Sequence, residues 1–144
     1  MRSFLVILFV LGLAPAAVAD VKSMGHDFRL LLSNYHMLAA IKVKCPDVTL
    51  PTVEPRLTID KIMQEKVGMD AFVKLMANIQ KSDLRKNAYV TVDKLMANLD
   101  GCEDVRLGRT LGRIAVAHEE AYARLQAAPA LVKPKPTPIP LRKQ

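Results

Sequence analysis

The chain of 144 residues has no tryptophan, and aromatic residues make up only 5% of it. It also lacks the motifs of common chemistries, since it has neither a GxSxG nucleophile elbow nor a glycine-rich phosphate loop. The stretch HEEAY at 118–122 is not the HExxH of zinc hydrolases, because residue 122 is tyrosine. We therefore predict that the protein has no catalytic residues and is not an enzyme. A small hydrolase that depends on His118 is the alternative.

Long apolar runs are scarce, and the one at the start of the chain is typical of a secretory signal peptide. Arg2 precedes an apolar segment at 4–13, and small residues lead to Ala19. The segment is shorter than the roughly 20 residues that span a bilayer. We expect a signal peptide at 1–19, cleaved between Ala19 and Asp20, with no membrane span left afterwards. The predicted location is the periplasm or the medium, and an uncleaved anchor is the alternative.

Cysteine is also rare, with Cys45 and Cys102 as the two examples. An even number of cysteines in an exported chain favours a disulfide. A bridge that closes a loop of this length would stabilise the fold by about 4 kcal/mol in the chain-entropy model. The two residues are not a CxxC pair, so thioredoxin-like chemistry has no support. We predict a Cys45–Cys102 disulfide, with two buried free thiols or a redox pair as the alternatives.

Acidic residues are absent from the last sixteen positions, 129–144, although the chain as a whole has fourteen. Prolines alternate along this segment, so it cannot form a core and favours an extended or disordered conformation. Its basic residues are Lys133, Lys135, Arg142 and Lys143. Without Arg2, which lies in the predicted signal peptide, the chain has a net charge of +6, and these four residues account for four of those charges. The predicted domain at 20–128 has the remaining +2 and is close to neutral. One interpretation is that this tail binds a partner protein or an anionic surface, and the other is that it is a solvated, disordered terminus that binds nothing. We predict that the protein does not bind nucleic acid.

Strand signals are weak, whereas apolar residues recur at helical spacing through most of 20–128. The fold is therefore predicted to be all-α, a small bundle of four to five helices in one domain at 20–128. AYVTV at 88–92 has β-propensity, but its surroundings favour a helix. The predicted helices are Val21 to about Lys44, one from a Thr58 cap to Gly68, one capped by Asp70, one from a Ser82 or Asp83 cap to Asp100-Gly101, and one from near Asp104.

The pentapeptide KLMAN occurs twice, at 74–78 and at 94–98. In both copies the Leu-Met pair falls on the apolar face and the lysine falls off it, so the repeat predicts a packing face and not a ligand site. The last helix contains Gly108 and Gly112, four residues apart. We expect another helix to pack closely against these two glycines.

Six methionines follow the signal segment, beside three histidines. Thioether sulfur suits Cu(I), and in a helical bundle the first and last helices can be neighbours. Met24 lies early in the first predicted helix and His118 late in the last. This arrangement is loosely similar to the exported four-helix b-type cytochromes, and the resemblance implies haem held between Met24 and His118. Core packing of both residues is the other interpretation, and the prediction for cofactors and metals is none.

We predict that the protein is an exported accessory or interaction protein, chaperone- or inhibitor-like, that binds another envelope or secreted protein. A haem or copper carrier and a small hydrolase are the alternatives.

Overall fold

The computed structural model describes residues 21–132, and it is an all-α bundle of five helices with no strand in that range. The helices are α1 Val21–Lys44, α2 Arg56–Val67, α3 Met69–Lys81, α4 Leu84–Met96 and α5 Val105–Ala127. The predicted signal peptide at 1–19 and all but the first four residues of the predicted tail lie outside the described residues. Within them, no helix is both long and apolar enough to cross a bilayer.

Helix α1 is the centre of the bundle and packs mainly against α4 and α5. Lys44 at the end of α1 pairs with Asp93 near the end of α4 at 2.8 Å, so these two helices run parallel. Asp27 at the start of α1 accepts hydrogen bonds from Arg124 near the end of α5, which makes α5 antiparallel to α1. This register fixes which residues of the first and last helices lie level with each other.

The buried apolar side chains form two clusters, one at each end of the bundle. The first, which we call the tail-root end, consists of Met24, Phe28, Leu31, Leu32, Ile59, Met63, Val67, Phe72, Ile79, Ala121, Leu125 and Ala128. The second, which we call the stapled end, consists of Leu38, Ala40, Ile41, Cys45, Val92, Leu107, Leu111 and Ile114. Two buried polar residues, Asn34 of α1 and His118 of α5, fall between the two sets along their helices.

The predicted helix caps are only partly correct. Asp104 does cap α5, since its carboxylate accepts the Arg106 backbone N–H at 2.8 Å. Helix α2 begins at Arg56, two residues before the predicted Thr58 cap, because the chain turns directly after Pro55. Helix α3 begins at Met69, so Asp70 lies in its first turn.

The ends of α3 and α4 also differ from the prediction. The Ser82 hydroxyl donates to the Ile79 carbonyl and so closes the end of α3. Asp83 precedes α4 in a left-handed conformation with φ of 48°, and its side chain makes no capping hydrogen bond. Helix α4 ends at Met96, and Gly101, with φ of +117°, lies in the turn that follows. The segment AYVTV lies inside α4, as expected.

The prediction for Gly108 and Gly112 is wrong. Both glycines are exposed on the outer face of α5, and a Cβ atom built at either would meet nothing within 4 Å in the described part of the chain. Their spacing matches that of a helix contact, but the buried stripe of α5 runs along the opposite side, through Leu107, Leu111 and Ile114.

Candidate functional site

The predicted disulfide is present. Cys45 and Cys102 are bonded, with their Cα atoms 5.7 Å apart. Cys45 follows α1 directly and is buried, whereas Cys102 lies exposed in the turn before α5. The bond therefore joins the end of α1 to the turn before α5, as predicted from the sequence.

Met24 and His118, the pair suggested for haem or copper, are not brought together. Because Asp27 is level with Arg124, Met24 lies level with the end of α5, about two and a half helical turns or roughly 13 Å along the helix from His118. Two ligands of one metal ion lie within about 4–5 Å of each other. Met24 packs in the apolar cluster of the tail-root end instead. The carrier hypothesis stays a prediction that this geometry does not support.

His118 is almost fully buried, and both of its ring nitrogens lack a hydrogen-bond partner among the described residues. Its nearest ionisable neighbour is Glu54, whose Oε2 lies 3.6 Å from Nε2. Burial lowers the pKa of His118, and the Glu54 carboxylate opposes that effect only in part. Among residues 21–132 no group of three or more histidine, cysteine, aspartate or glutamate side chains is placed to hold a metal ion. The arrangement around His118 is that of a neutral core histidine.

The segment that leads into the basic tail is fastened to the end of α2. The Leu131 backbone N–H donates to the Lys66 carbonyl at 2.7 Å. In return the Lys66 ammonium donates to the carbonyls of Gln126, at 2.8 Å, and of Ala128. Val132 packs beside Gly68, where an added Cβ would lie 3.1 Å from its Cγ1. The start of the tail is therefore held next to the junction of α2 and α3.

Exposed apolar side chains surround that junction. Met69 and Val73, one turn apart on α3, are 59% and 56% exposed, and Leu131 and Val132 are 39% and 38% exposed. We call these four residues the tail-root surface. The predicted partner-binding residues Lys133, Lys135, Arg142 and Lys143 lie outside the described residues, and the first of them follows Val132 directly in sequence. The fold therefore places the beginning of the basic tail beside an apolar surface.

A second feature is a pocket of about 250 Å³ on the other flank of α3, which we call the arginine pocket. We call its apolar lining residues the floor and its polar lining residues, three of which are basic types, the rim. The floor consists of Leu32, Met76, Ile79 and Leu84, and the rim of His36, Arg56, Gln80, Asp83 and Arg85.

The electrostatics of the rim are set by its two guanidinium groups. The pKa of His36 is lowered by burial first, and then by the positive charges of Arg56 and Arg85. Arg85 also lies over the Tyr89 ring, 5.9 Å from its centroid, in a shallower groove that continues from the pocket. Three basic groups from three different helices therefore converge on one concave site.

Comparison of the chain with protein-family models, with curated proteins and with solved structures found no match.

The arginine pocket has no motif in the sequence, because its rim comes from residues that are far apart in the chain. His36 and Arg56 are separated by the proline-containing connector, and Arg85 lies on α4. One signal was available: a basic residue on the first turn of each of α2 and α4. Nothing in the spacing indicated that both helices begin beside the same turn of α1.

Proposed function

We propose that the protein is exported and acts by binding another protein of the cell envelope or the medium, in an accessory, chaperone-like or inhibitor-like role. The signal-like sequence at 1–19 supports export. The Cys45–Cys102 disulfide supports it too, because such bonds persist in oxidising compartments.

The observation that carries the proposal is the position of Leu131 and Val132, from which the basic tail continues in sequence. These residues lie beside residues 66–68 at the end of α2, next to Met69. Met69 and Val73, which is one turn further along α3, are more than half exposed although they are apolar. Apolar side chains that are exposed as a group, rimmed by charge, are typical of a protein interaction site. A rigid apolar surface and a basic extension that starts beside it would form one composite docking site.

The chemistry of this site defines the partner. Tail residues Lys133, Lys135, Arg142 and Lys143 favour an acidic surface, and Met69 with Val73 favours an apolar patch inside it. Electrostatic attraction would speed association, and burial of the apolar side chains would supply most of the affinity. We therefore propose an acidic protein that carries a small apolar patch.

The test uses full-length tagged protein, made with its own leader and captured at low salt from the envelope and medium fractions of the native host. Val73→Asp places a charge in the tail-root surface. Val116→Asp is the matched control, because Val116 of α5 is also 56% exposed and lies outside that surface. A third variant lacks residues 133–144.

We expect an acidic protein that is recovered with the wild type and with Val116→Asp, and lost with Val73→Asp and with the tail deletion. Its binding to purified protein should weaken as the salt concentration rises, because the tail contacts are exposed charges. Equal recovery by all four proteins would show that the tail-root surface is not the docking site.

A further inference from the structure

The arginine pocket has the features of a small-molecule site. It is concave, its floor is apolar, and a few polar groups converge on its rim. We propose that this pocket binds the carboxylate of a small organic acid that carries a short apolar chain. This inference is independent of the proposed docking function, because the residues that form the pocket differ from those of the tail-root surface.

The carboxylate would lie among the basic groups of the rim. Arg56 and Arg85 present planar guanidinium groups, which match a carboxylate in two parallel hydrogen bonds. The first turn of α4 adds to this polarity, because the positive end of the helix dipole lies there and the Asp83 side chain makes no capping hydrogen bond to it. Arg85 and an uncapped helix start therefore favour the same kind of ligand at the same place.

The opposing charges are few. Asp83 lies on the rim, and Asp60 of α2 is near Arg56, with 3.5 Å between Asp60 Oδ2 and Arg56 Nε. That contact involves only the Nε side of the Arg56 fork and is long for a hydrogen bond. Among the lining residues, the two arginines against Asp83 leave one net positive charge when His36 is neutral. Asp60, which does not line the pocket, offsets part of the Arg56 charge.

The apolar floor sets the size and nature of the rest of the ligand. Leu32, Met76, Ile79 and Leu84 come from α1, α3 and α4 and offer no polar side-chain atom. A volume of about 250 Å³ corresponds to about eight water molecules. An unbranched or branched acid of about six carbons fits this space, whereas a long-chain lipid does not.

The test measures binding of hexanoate to the full-length mature protein by NMR and by calorimetry. Hexanamide, which has the same shape and no charge, is the control for the apolar chain, and acetate is the control for the carboxylate. We expect saturable binding of hexanoate, with much weaker binding of both controls. Equal binding of hexanoate and hexanamide would overturn the proposal.

Three variants make the assignment specific. Arg85→Gln should weaken hexanoate binding about fivefold or more, since it removes a charge-assisted hydrogen bond. Asp83→Asn should strengthen it, because it removes the one acid on the rim. Arg113→Gln, on the exposed face of α5, removes the same charge elsewhere and should leave binding unchanged. Equal affinity in Arg85→Gln and Arg113→Gln protein with unchanged thermal stability would contradict the site.

Protonation of His36 gives a readout that is independent of affinity. A bound carboxylate would oppose the effect of Arg56 and Arg85, so saturating hexanoate should raise the pKa of His36 in an NMR titration. The His26 ring signals serve as the internal reference, because His26 lies outside the pocket. No change at His36 under saturating hexanoate would place the ligand elsewhere.

The same NMR titration distinguishes two sources of this chemistry. A free aliphatic acid and the C-terminal carboxylate of a peptide both present a carboxylate beside an apolar chain. The affinities of hexanoate and N-acetyl-leucine, compared at equal concentration, show which of the two carboxylates the pocket binds more tightly. In either case, tighter binding of the carboxylate than of its amide supports the proposal.

Discussion

The two ends of the bundle share α1 and α5 but are closed in different ways. At the stapled end a covalent bond joins Cys45, which belongs to the apolar cluster of that end, to Cys102. At the tail-root end Asp27 and Arg124 form an ion pair, and Lys66 fastens the chain beyond α5 to α2. The stapled end is thus held by a covalent bond. The tail-root end is held by an ion pair and hydrogen bonds, which water molecules can replace. We infer that the first serves stability and the second serves binding.

The repeated KLMAN segment illustrates the same difference. In both copies the Leu-Met pair is half-buried while the lysine, alanine and asparagine are exposed. Leu75 and Met76 pack against the cluster of the tail-root end, and Leu95 and Met96 pack against that of the stapled end. One five-residue face therefore serves both cores, as the repeat predicted, although the second copy extends past the end of α4.

The largest expected effect comes from removing the staple. The double variant Cys45→Ala/Cys102→Ala should lose about 4 kcal/mol of unfolding free energy, because the unfolded chain regains the freedom of the closed loop. Urea unfolding measures the loss, and amide exchange should rise first around Leu38, Ile41 and Leu111. Faster exchange at the tail-root end alone would contradict the division into two ends. Wild-type protein should show no free thiol under non-reducing conditions.

The next effect concerns the tail-root end. Arg124→Met leaves the buried Asp27 carboxylate without the two hydrogen bonds it accepts at 2.8 and 3.1 Å. The unfolding free energy should fall by about 1–2 kcal/mol, less than for a fully buried pair because Arg124 itself is half exposed. Arg113→Met removes an exposed arginine from the same helix and should change stability by less than about 0.5 kcal/mol. Equal effects of the two variants would show that the ion pair does not hold this end.

His118, between the two ends, makes stability depend on pH. Its pKa is lowered in the folded protein, so below the ordinary pKa of 6.5 the unfolded chain binds a proton that the folded chain does not. Stability therefore falls as the pH decreases from about 6.5 to the folded-state pKa, and this contribution is constant below it.

His118→Leu should reduce that dependence and leave the part that His36 contributes, because the pKa of His36 is also lowered in the folded protein. It should also raise the unfolding free energy by about 1 kcal/mol at neutral pH, because the buried, unpaired ring nitrogens are lost. Denaturation curves at pH 7.5 and 5.5 measure both effects. An unchanged pH dependence in the variant would show that other groups are responsible.

The smallest effects compare two glycines. Gly112→Ala on the exposed face of α5 should raise stability by about 0.5–1 kcal/mol, because alanine favours the helix and the added Cβ meets nothing. Gly68→Ala should lower it, since Gly68 has φ of +83° and its Cβ would press on Val132. Thermal melting distinguishes the signs. Destabilisation by Gly112→Ala would contradict the exposed position of Gly112 and would support the close helix contact that we predicted from the sequence.

Much of the fold was predictable because the signals are local. Apolar periodicity identified all five helices, and the even cysteine count identified the bridge. The errors concern features that depend on tertiary context. The spacing of Gly108 and Gly112 does not reveal which face of α5 points to solvent, and a cap such as Thr58 loses its role when a proline turns the chain two residues earlier.

The candidate sites were less predictable for a related reason. The proximity of the start of α3, at Met69, to the start of the tail depends on the contacts of Lys66 with the chain after α5. The arginine pocket depends on the parallel packing of α1 and α4, which brings His36 and Arg85 together. Neither arrangement leaves a pattern within one helix.

The most direct test of this division of roles is site-specific photo-crosslinking in the native host. A photoreactive residue replaces either Val73, at the tail-root surface, or Val105, which is 71% exposed and begins α5 beside the disulfide. We predict a discrete adduct with an acidic protein from position 73, lost when residues 133–144 are removed, and none from position 105. A discrete adduct from position 105, with none from position 73, would contradict the proposal that the tail-root end is the binding end.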